Sequence, residues 1–272
     1  MALAVSGGPD SCGLALLAAA AGCRATLHHV DHRLRASGDV EADLVEALAR
    51  RLEMGFVAHV AAVMPGPNLE ARARAQRREA LPTGALTGHT MDDQAETVLL
   101  NVLRGAGLDG LAAMAPATKP MLELRRHEVR EMVADAGVAT FADPSNFDLS
   151  LRRNLLRARV LPELNRVALR DLVPVLARQA SMSRDTASYL DDVARALVPD
   201  ASDVALLSAA PAVLRRRRLR DLARGTDDAG HPPSAAEVDR MEAVVLGEAV
   251  ATELSGGRRL TRHRGRLRLE DP

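Results

Sequence analysis

Aromatic side chains are nearly missing from this 272-residue chain, which has three phenylalanines, one tyrosine and no tryptophan. Its core must therefore be packed from Leu, Val, Ala and Met, and with 47% of residues apolar there are enough for a sizeable one. Lysine is scarcer still. Lys119 is the only one, so all but one of the 36 basic side chains are arginine and phosphate contacts fall to guanidinium groups. This Arg and Ala bias also fits a GC-rich coding sequence. The two cysteines, Cys12 and Cys23, form no Cys-x-x-Cys pair, which argues against a zinc ribbon, an iron–sulfur cluster or a disulfide framework. No apolar run reaches membrane-spanning length, and the chain opens on a glycine turn without a signal peptide. We expect a cytoplasmic protein with no membrane partner.

Formal charge sums to zero but is unevenly placed. Residues 1–150 carry 14 basic and 19 acidic groups, and residues 151–272 carry 22 and 17. An acidic front and basic back suit a catalytic domain followed by one that touches nucleic acid, and a chance imbalance on solvated helix faces suits the same counts. The length allows one large domain or two of moderate size.

What is present is concentrated at the start. Ser6-Gly7-Gly8-Pro9-Asp10-Ser11 lies between an apolar run, Leu3–Val5, and a second run from Cys12 to Ala21. Strand, glycine turn and helix start in that order make an anion pocket, because the unpaired N–H groups of a first helical turn point outward and the helix dipole favours negative charge there. Ser6 and Ser11 add hydroxyls, and Asp10 is suited to hold magnesium or to cap the helix. The Gly-Lys-Ser/Thr ending of the usual P-loop is missing. An ordinary turn with Ser11 or Asp10 as N-cap is the plainer alternative.

Short apolar runs at Leu3–Val5, Ala25–Val30, Gly55–Val60, Ala85–Gly88 and, more weakly, Val138–Phe141 alternate with helical patterns near Ser11–Ala21, Asp39–Met54, Leu69–Ala80, Met91–Arg104 and Arg125–Ala136. The alternation predicts an α/β fold, a doubly wound, mostly parallel Rossmann-like sheet with ligands at the carboxyl ends of its strands. From about Leu149 the strand signal stops. Helices are expected at Arg152–Asn165, Leu169–Val198, Pro211–Arg224 and Ala235–Val245, with a possible hairpin over Arg258–Glu270. We therefore expect a domain over 1–148 and a smaller, mainly helical one over 149–272.

Three further stretches carry polar chemistry. In His89-Thr90-Met91-Asp92-Asp93-Gln94-Ala95-Glu96, Thr90 and Asp93 have capping-box spacing, and Asp92, Asp93 and Glu96 can share one helix face. Clustered carboxylates repel, so a metal ion or a substrate amine is expected to offset them. Acidic residues favoured in a first helical turn are the bland reading. Asp31 ends the second strand, within His28-His29-Val30-Asp31-His32, where alternation of strand side chains argues against a zinc site. Arg74 with Arg77, and Arg153 with Arg157, lie one helical turn apart and suit phosphate or carboxylate, or else form solvated basic faces, as does the block Arg215–Arg218.

Taken together these stretches resemble a known family. Ser6–Ser11 matches the PP-loop signature of N-type ATP pyrophosphatases. His29–Arg35, Asn68-Leu69-Glu70 with Arg74, His89 with Asp92–Thr97, Leu103–Leu111, and Asp143–Asn146 with Arg153-Asn154 resemble the bacterial tRNA(Ile)-lysidine synthases. The resemblance implies a ligase in tRNA processing: ATP adenylates C2 of the wobble cytidine in a CAU-anticodon isoleucine tRNA, and free L-lysine displaces AMP to give lysidine, with pyrophosphate as the other product. It implies that Ser6, Gly7, Gly8, Asp10 and Ser11 cradle ATP, with Asp10 on Mg2+. It places Asp31, Arg74, Asp93 and Glu96 about the lysine and the reacting groups, and His89, Asp92, Arg153 and Arg157 on substrate or tRNA. Arg78 stands where the family usually has tyrosine. The chain begins almost at the loop, as a trimmed or mis-started sequence would, and a further C-terminal tRNA-binding domain of longer members is expected to be absent. A tRNA thiolase of the same superfamily and a non-catalytic RNA-binding adaptor are the rival readings; oligomeric state is left open.

Overall fold

The computed structural model describes residues 1–31, 38–61, 69–224 and 233–271. Short β-rich apolar runs become strands β1 (Ala2–Ala4), β2 (Thr26–Asp31), β3 (Gly55–Val60) and β4 (Leu86–Thr87). Between and after them come α1 (Pro9–Ala20), α2 (Gly38–Arg51), α3 (Leu69–Ala80), α4 (Met91–Leu103), α5 (Leu108–Leu111) and α6 (Arg126–Asp135). The strands form one parallel sheet in the order β3-β2-β1-β4. The chain steps outward from β1 to β3 and returns to the other side of β1, so the strand order reverses between β1 and β4. In open α/β sheets that reversal opens a crevice beyond the strand ends.

The core explains why the sheet tolerates so few rings. Leu3, Leu27 and Val45 are wholly buried, with Leu14, Met121, Val129 and Val133 packed around them. Each such aliphatic side chain contributes about 1.5–3 kcal/mol by leaving water. Among the described residues no helix is long and apolar enough to cross a membrane.

One expected strand is not there. Residues 138–141 form no strand, because β1 ends at Ala4 and the chain beyond it curls into the glycine turn, leaving one ladder-like bond, from Phe141 N–H to the Gly7 carbonyl at 2.8 Å. The histidines of β2 face opposite ways, as alternation requires. His28 Nδ1 lies 2.9 Å from His59 Nε2, whereas His29 Nδ1 lies 3.1 Å from the Val5 carbonyl. His32 lies outside the described residues.

Helices α7 (Arg152–Leu155) and α8 (Leu161–Ala168) are joined by a π-helical turn over Leu156–Val160, and α9 runs over Val173–Leu197. The change from mixed to helical structure falls near residue 149, and the compact unit that begins at Met1 runs on to Ser183, the second being Arg184–Pro272. The physical reason is a small cluster in which Leu156, Leu161 and Val173 bury Ala95 of α4.

The second unit contains the end of α9, then α10 (Val204–Ala209), α11 (Ala212–Arg224), α12 (Ala235–Leu246) and an antiparallel sheet of β5 (Ala251–Glu253), β6 (Arg259–His263) and β7 (Arg266–Glu270). The β6–β7 hairpin turns at Arg264 and Gly265, both with positive φ, the backbone that two-residue hairpins favour. In the block Arg215–Arg218, three arginines are buried and Arg216 is exposed, and each of the four is paired with an acid. Arg215 pairs with Glu242 at 2.7 Å, Arg216 with Asp239 and Glu242, Arg217 with Asp191, and Arg218 with Asp221 at 2.8 Å.

Candidate active site

The loop after β1 is organised by its own side chains. Gly7 adopts φ +83°, a conformation costing other L-residues roughly 1–2 kcal/mol. Ser11 Oγ accepts the Ser6 N–H at 3.1 Å and donates to the Gly8 carbonyl at 2.9 Å, tying the turn shut. Helix α1 begins with Gly8 as N-cap and Pro9 in its first turn, and no side chain caps it. Neither Asp10 nor Ser11 is the cap, so the first-turn N–H groups are left for a ligand. A Cβ on Gly88 would stand 2.6 Å from the Asp10 carbonyl oxygen, and glycine there lets the end of β4 close onto the start of α1.

A cavity of about 440 Å³ opens beside this helix start. Ser6, Gly8, Asp10, Ser11, His89, Asp93, Arg153 and Arg157 line it, so eight of the residues expected from sequence meet in one place. Gly7 supports the wall through its carbonyl. Asp92, Glu96 and Asp31 are not among the lining residues. Asp31 sits at the carboxyl end of β2, where its carbonyl accepts the Ala61 N–H at 2.8 Å. Arg74 is on α3, and its side chain lies outside the described residues.

Helix α4 supplies the acidic groups. Asp93 Oδ2 accepts the Thr90 N–H at 2.9 Å and the Thr90 hydroxyl at 3.0 Å, the return half of a capping box. Its Oδ1 accepts from Arg126 at 2.7 Å. Burial pushes this carboxyl up, but Arg126 and the Thr90 N–H outweigh burial and hold it below the ordinary aspartate range. Glu96, wholly buried, receives Arg126 at 2.9 Å, Arg157 at 2.7 and 3.1 Å, and Arg153 at 3.4 Å. Asp92 turns away from the cavity and accepts the Arg126 backbone N–H at 2.8 Å and Arg125 Nε at 3.2 Å. The chain's own arginines, Arg126, Arg153 and Arg157, supply positive charge to this cluster.

Arg126 is the residue that sequence reading missed. It bridges Asp93 and Glu96 and lies 3.5 Å from Asp10 Oδ2. Burial opposes its charge, but Asp93 and Glu96 raise its pKa and keep it protonated. One signal was available, since arginines at the start of a helix face an unfavourable dipole and need acidic partners. Arg130, 3.7 Å from Asp10 Oδ1, also lines the cavity and was not anticipated.

His89 is held neutral. Burial lowers its pKa to about 4, against a smaller opposing pull from Asp93. The Thr87 hydroxyl donates to the Thr118 carbonyl at 3.3 Å and lies 2.8 Å from His89 Nδ1. That hydroxyl therefore accepts from Nδ1–H, and Nε2 keeps its lone pair.

Asp10 fits a magnesium ion. Its Oδ1 is buried without a hydrogen-bond partner, and burial raises its pKa more than Arg126 and Arg130 lower it. Magnesium is usually held by one or two carboxylates plus substrate phosphates and water, and Asp10 beside an uncapped helix start supplies such a donor set. Among the described residues no three His, Cys, Asp or Glu side chains are grouped to hold a metal by themselves.

Residues 1–164 match the PP-loop domain family. Over nearly its whole length the chain is 38% identical to tRNA(Ile)-lysidine synthase of Thermobifida fusca, with 97% of this chain and 90% of that one aligned. The enzyme of Nocardia farcinica is 37% identical over 99% and 91% of the two chains. A Thermus thermophilus enzyme of the same name is 39% identical over all of this chain but only 57% of its own. Among solved structures, the U34-tRNA thiolase NcsA from Methanococcus maripaludis, with its [4Fe-4S] cluster, superposes with a TM-score of 0.50 at 15% identity over 68% of this chain and 71% of that one, a likeness of fold. With its glycine turn, its arginine-compensated acidic helix and identity of this extent, the chain belongs to the tRNA(Ile)-lysidine synthase family of PP-loop enzymes.

Proposed function

We propose that the chain uses ATP to join L-lysine to C2 of the wobble cytidine in a CAU-anticodon isoleucine tRNA, in the cytoplasm, giving lysidine, AMP and pyrophosphate. The observation that carries this reading is the shared cavity, in which an uncapped helix start lies beside Asp10, Asp93, Arg153 and Arg157. In the first step the cytidine O2 attacks the α-phosphate and pyrophosphate leaves. In the second, the lysine ε-nitrogen bonds to C2, the C2–O bond breaks, and AMP carries that oxygen away. A pyrimidine C2 is a poor electrophile until its oxygen becomes such a leaving group.

Ser6, Gly8, Ser11 and the first-turn N–H groups of α1 would grip the phosphates, and the Gly7 turn would shape that grip. Arg153 and Arg157 would meet charge developing on the transferred group or on tRNA phosphate. Asp10 would hold Mg2+, with Asp93 at hand, and the ion would supply further charge neutralisation at the phosphates. Asp93 would receive the lysine amine, and neutral His89 would accept a hydrogen bond at Nε2. Glu96 would hold Arg126, Arg153 and Arg157 in place, with Asp92 anchoring α6. Asp31 and Arg74 enter this proposal through the family resemblance alone.

Thiolation is the less favoured reading. Cys12 is buried with its thiol pushed up to about 11 by burial, and Cys23 follows the far end of α1, away from the cavity. Incubation with ATP, magnesium, labelled lysine and either a CAU-anticodon isoleucine tRNA or a methionine tRNA tests the proposal. Label is expected in the first RNA only, with one AMP released for each lysine incorporated. Sulfur incorporation without lysine would point to the thiolase, and RNA binding without ATP turnover to an adaptor.

A further inference from the structure

In a chain with so few rings, Phe147 is 80% exposed, directly after the cavity-lining residues Ser145 and Asn146. An apolar ring in water gains nothing for folding, yet its backbone is held firmly. Asp143 Oδ1 accepts the Ser145 N–H at 2.8 Å, and Asn154, itself buried, donates to the carbonyls of Ser145 at 2.7 Å and Asp148 at 2.9 Å. The hydrogen bonds thus fall on both sides of the ring. Asp148, next to Phe147 in sequence, accepts the Ser150 N–H at 2.9 Å.

Leu149, Leu151 and Leu155 are also exposed on the same stretch of chain, and Leu151 lines the cavity. Arg152 and Arg159 are exposed on that stretch, while Arg153 and Arg157 turn inward to Glu96. An exposed ring on a hydrogen-bonded backbone, next in sequence to cavity-lining residues and on a stretch that also exposes leucines and arginines, has the chemistry that unstacked bases of single-stranded RNA need: a flat apolar face and cations for the backbone.

We propose that Phe147 is a stacking platform for an unpaired RNA base adjacent to the one that enters the cavity. The inference rests on the tRNA reading above and adds a residue to it. A base displaced from its loop stack regains a stacking partner on the ring, which favours the splayed loop in which the neighbouring base is free to enter.

The chain has no tryptophan, so Phe147→Trp introduces a unique fluorophore at the platform. Its emission is expected to be quenched on titration with the CAU-anticodon tRNA and unaffected by ATP alone. Phe147→Ala is expected to raise the KM for tRNA roughly fivefold to a hundredfold, the range that loss of one base-stacking aromatic produces. The KM for ATP and the circular dichroism spectrum should not change, and Phe147→Trp should restore the tRNA KM. Unchanged emission at saturating tRNA, or a wild-type tRNA KM in Phe147→Ala, overturns the proposal. A concentration-dependent emission change without RNA would assign the patch to contact between copies of the chain and also overturn it. If the wild-type chain incorporates no lysine, the functional reading fails separately, because the titration needs no turnover.

Discussion

Arg157 grips Glu96 with two nitrogens, Nε at 2.7 Å and Nη2 at 3.1 Å, although the residues are 61 apart in sequence. This bidentate pair belongs to a set in which Arg126 and Arg153 share the same wholly buried carboxylate. The set joins α4, α6 and the helical segment after residue 151 behind the cavity. Removing its acidic centre leaves guanidinium groups facing one another in a poorly solvated place.

Glu96→Gln is therefore expected to lower stability by about 3–5 kcal/mol, the usual consequence of breaking a buried ion pair from one side. Urea unfolding reads this directly. Asp92→Asn, which touches the more accessible Arg125 and a backbone N–H, should cost less. Equal losses for the two variants would remove Glu96 from the centre of the set.

His89 makes stability depend on pH over a definite window. Its folded pKa, about 4, is below the ordinary 6.5, so between those values the unfolded chain binds a proton that the folded chain refuses. Stability is then unaffected above pH 6.5 and falls as pH drops from 6.5 towards 4, by on the order of 2–3 kcal/mol. His89→Gln should flatten that part of the profile, read as unfolding midpoints across pH. A slope identical to wild type would contradict the assignment.

Gly88→Ala tests the close approach of β4 to α1. The added methyl meets the Asp10 backbone oxygen, which cannot move without shifting the helix start. We expect a loss of about 1–3 kcal/mol in stability, typical of overpacking, and a KM for ATP raised at least several-fold. A variant with wild-type ATP kinetics would show that this helix start does not hold the phosphates.

Asp93→Asn separates the lysine role from the nucleotide role. Lysine incorporation is expected to fall far more than ATP binding, since the loop that grips phosphate is tied by Ser11, not by Asp93. Mild and equal losses in both measurements would remove the proposed contact with the lysine amine. Arg126→Met in the same assays should damage both, because Arg126 reaches Asp93, Glu96 and the vicinity of Asp10.

The uneven success of sequence reading has a physical pattern. Strand β3 and helix α3 begin and end where the periodicity placed them, and the Thr90–Asp93 contact follows from a spacing of three. Those features depend on neighbours along the chain. The strand expected at 138–141 depended on a partner edge, and β1 had already given way to the Gly7 turn. The basic block Arg215–Arg218 looked like a surface until its acids appeared on α9, α11 and α12.

What the chain's order of residues settled alone is local: a glycine turn followed by a helix, and three acids close together on the helix after β4. Backbone geometry and side-chain spacing within one element suffice for both. Who neutralises those acids was decided only by folding. Arg126 and Glu96 are 30 residues apart and Arg157 and Glu96 are 61 apart, and no periodicity encodes a partner at such distances. Periodicity states which face of an element is buried, and the packing of α6 and α7 against α4 determines which charge that face meets.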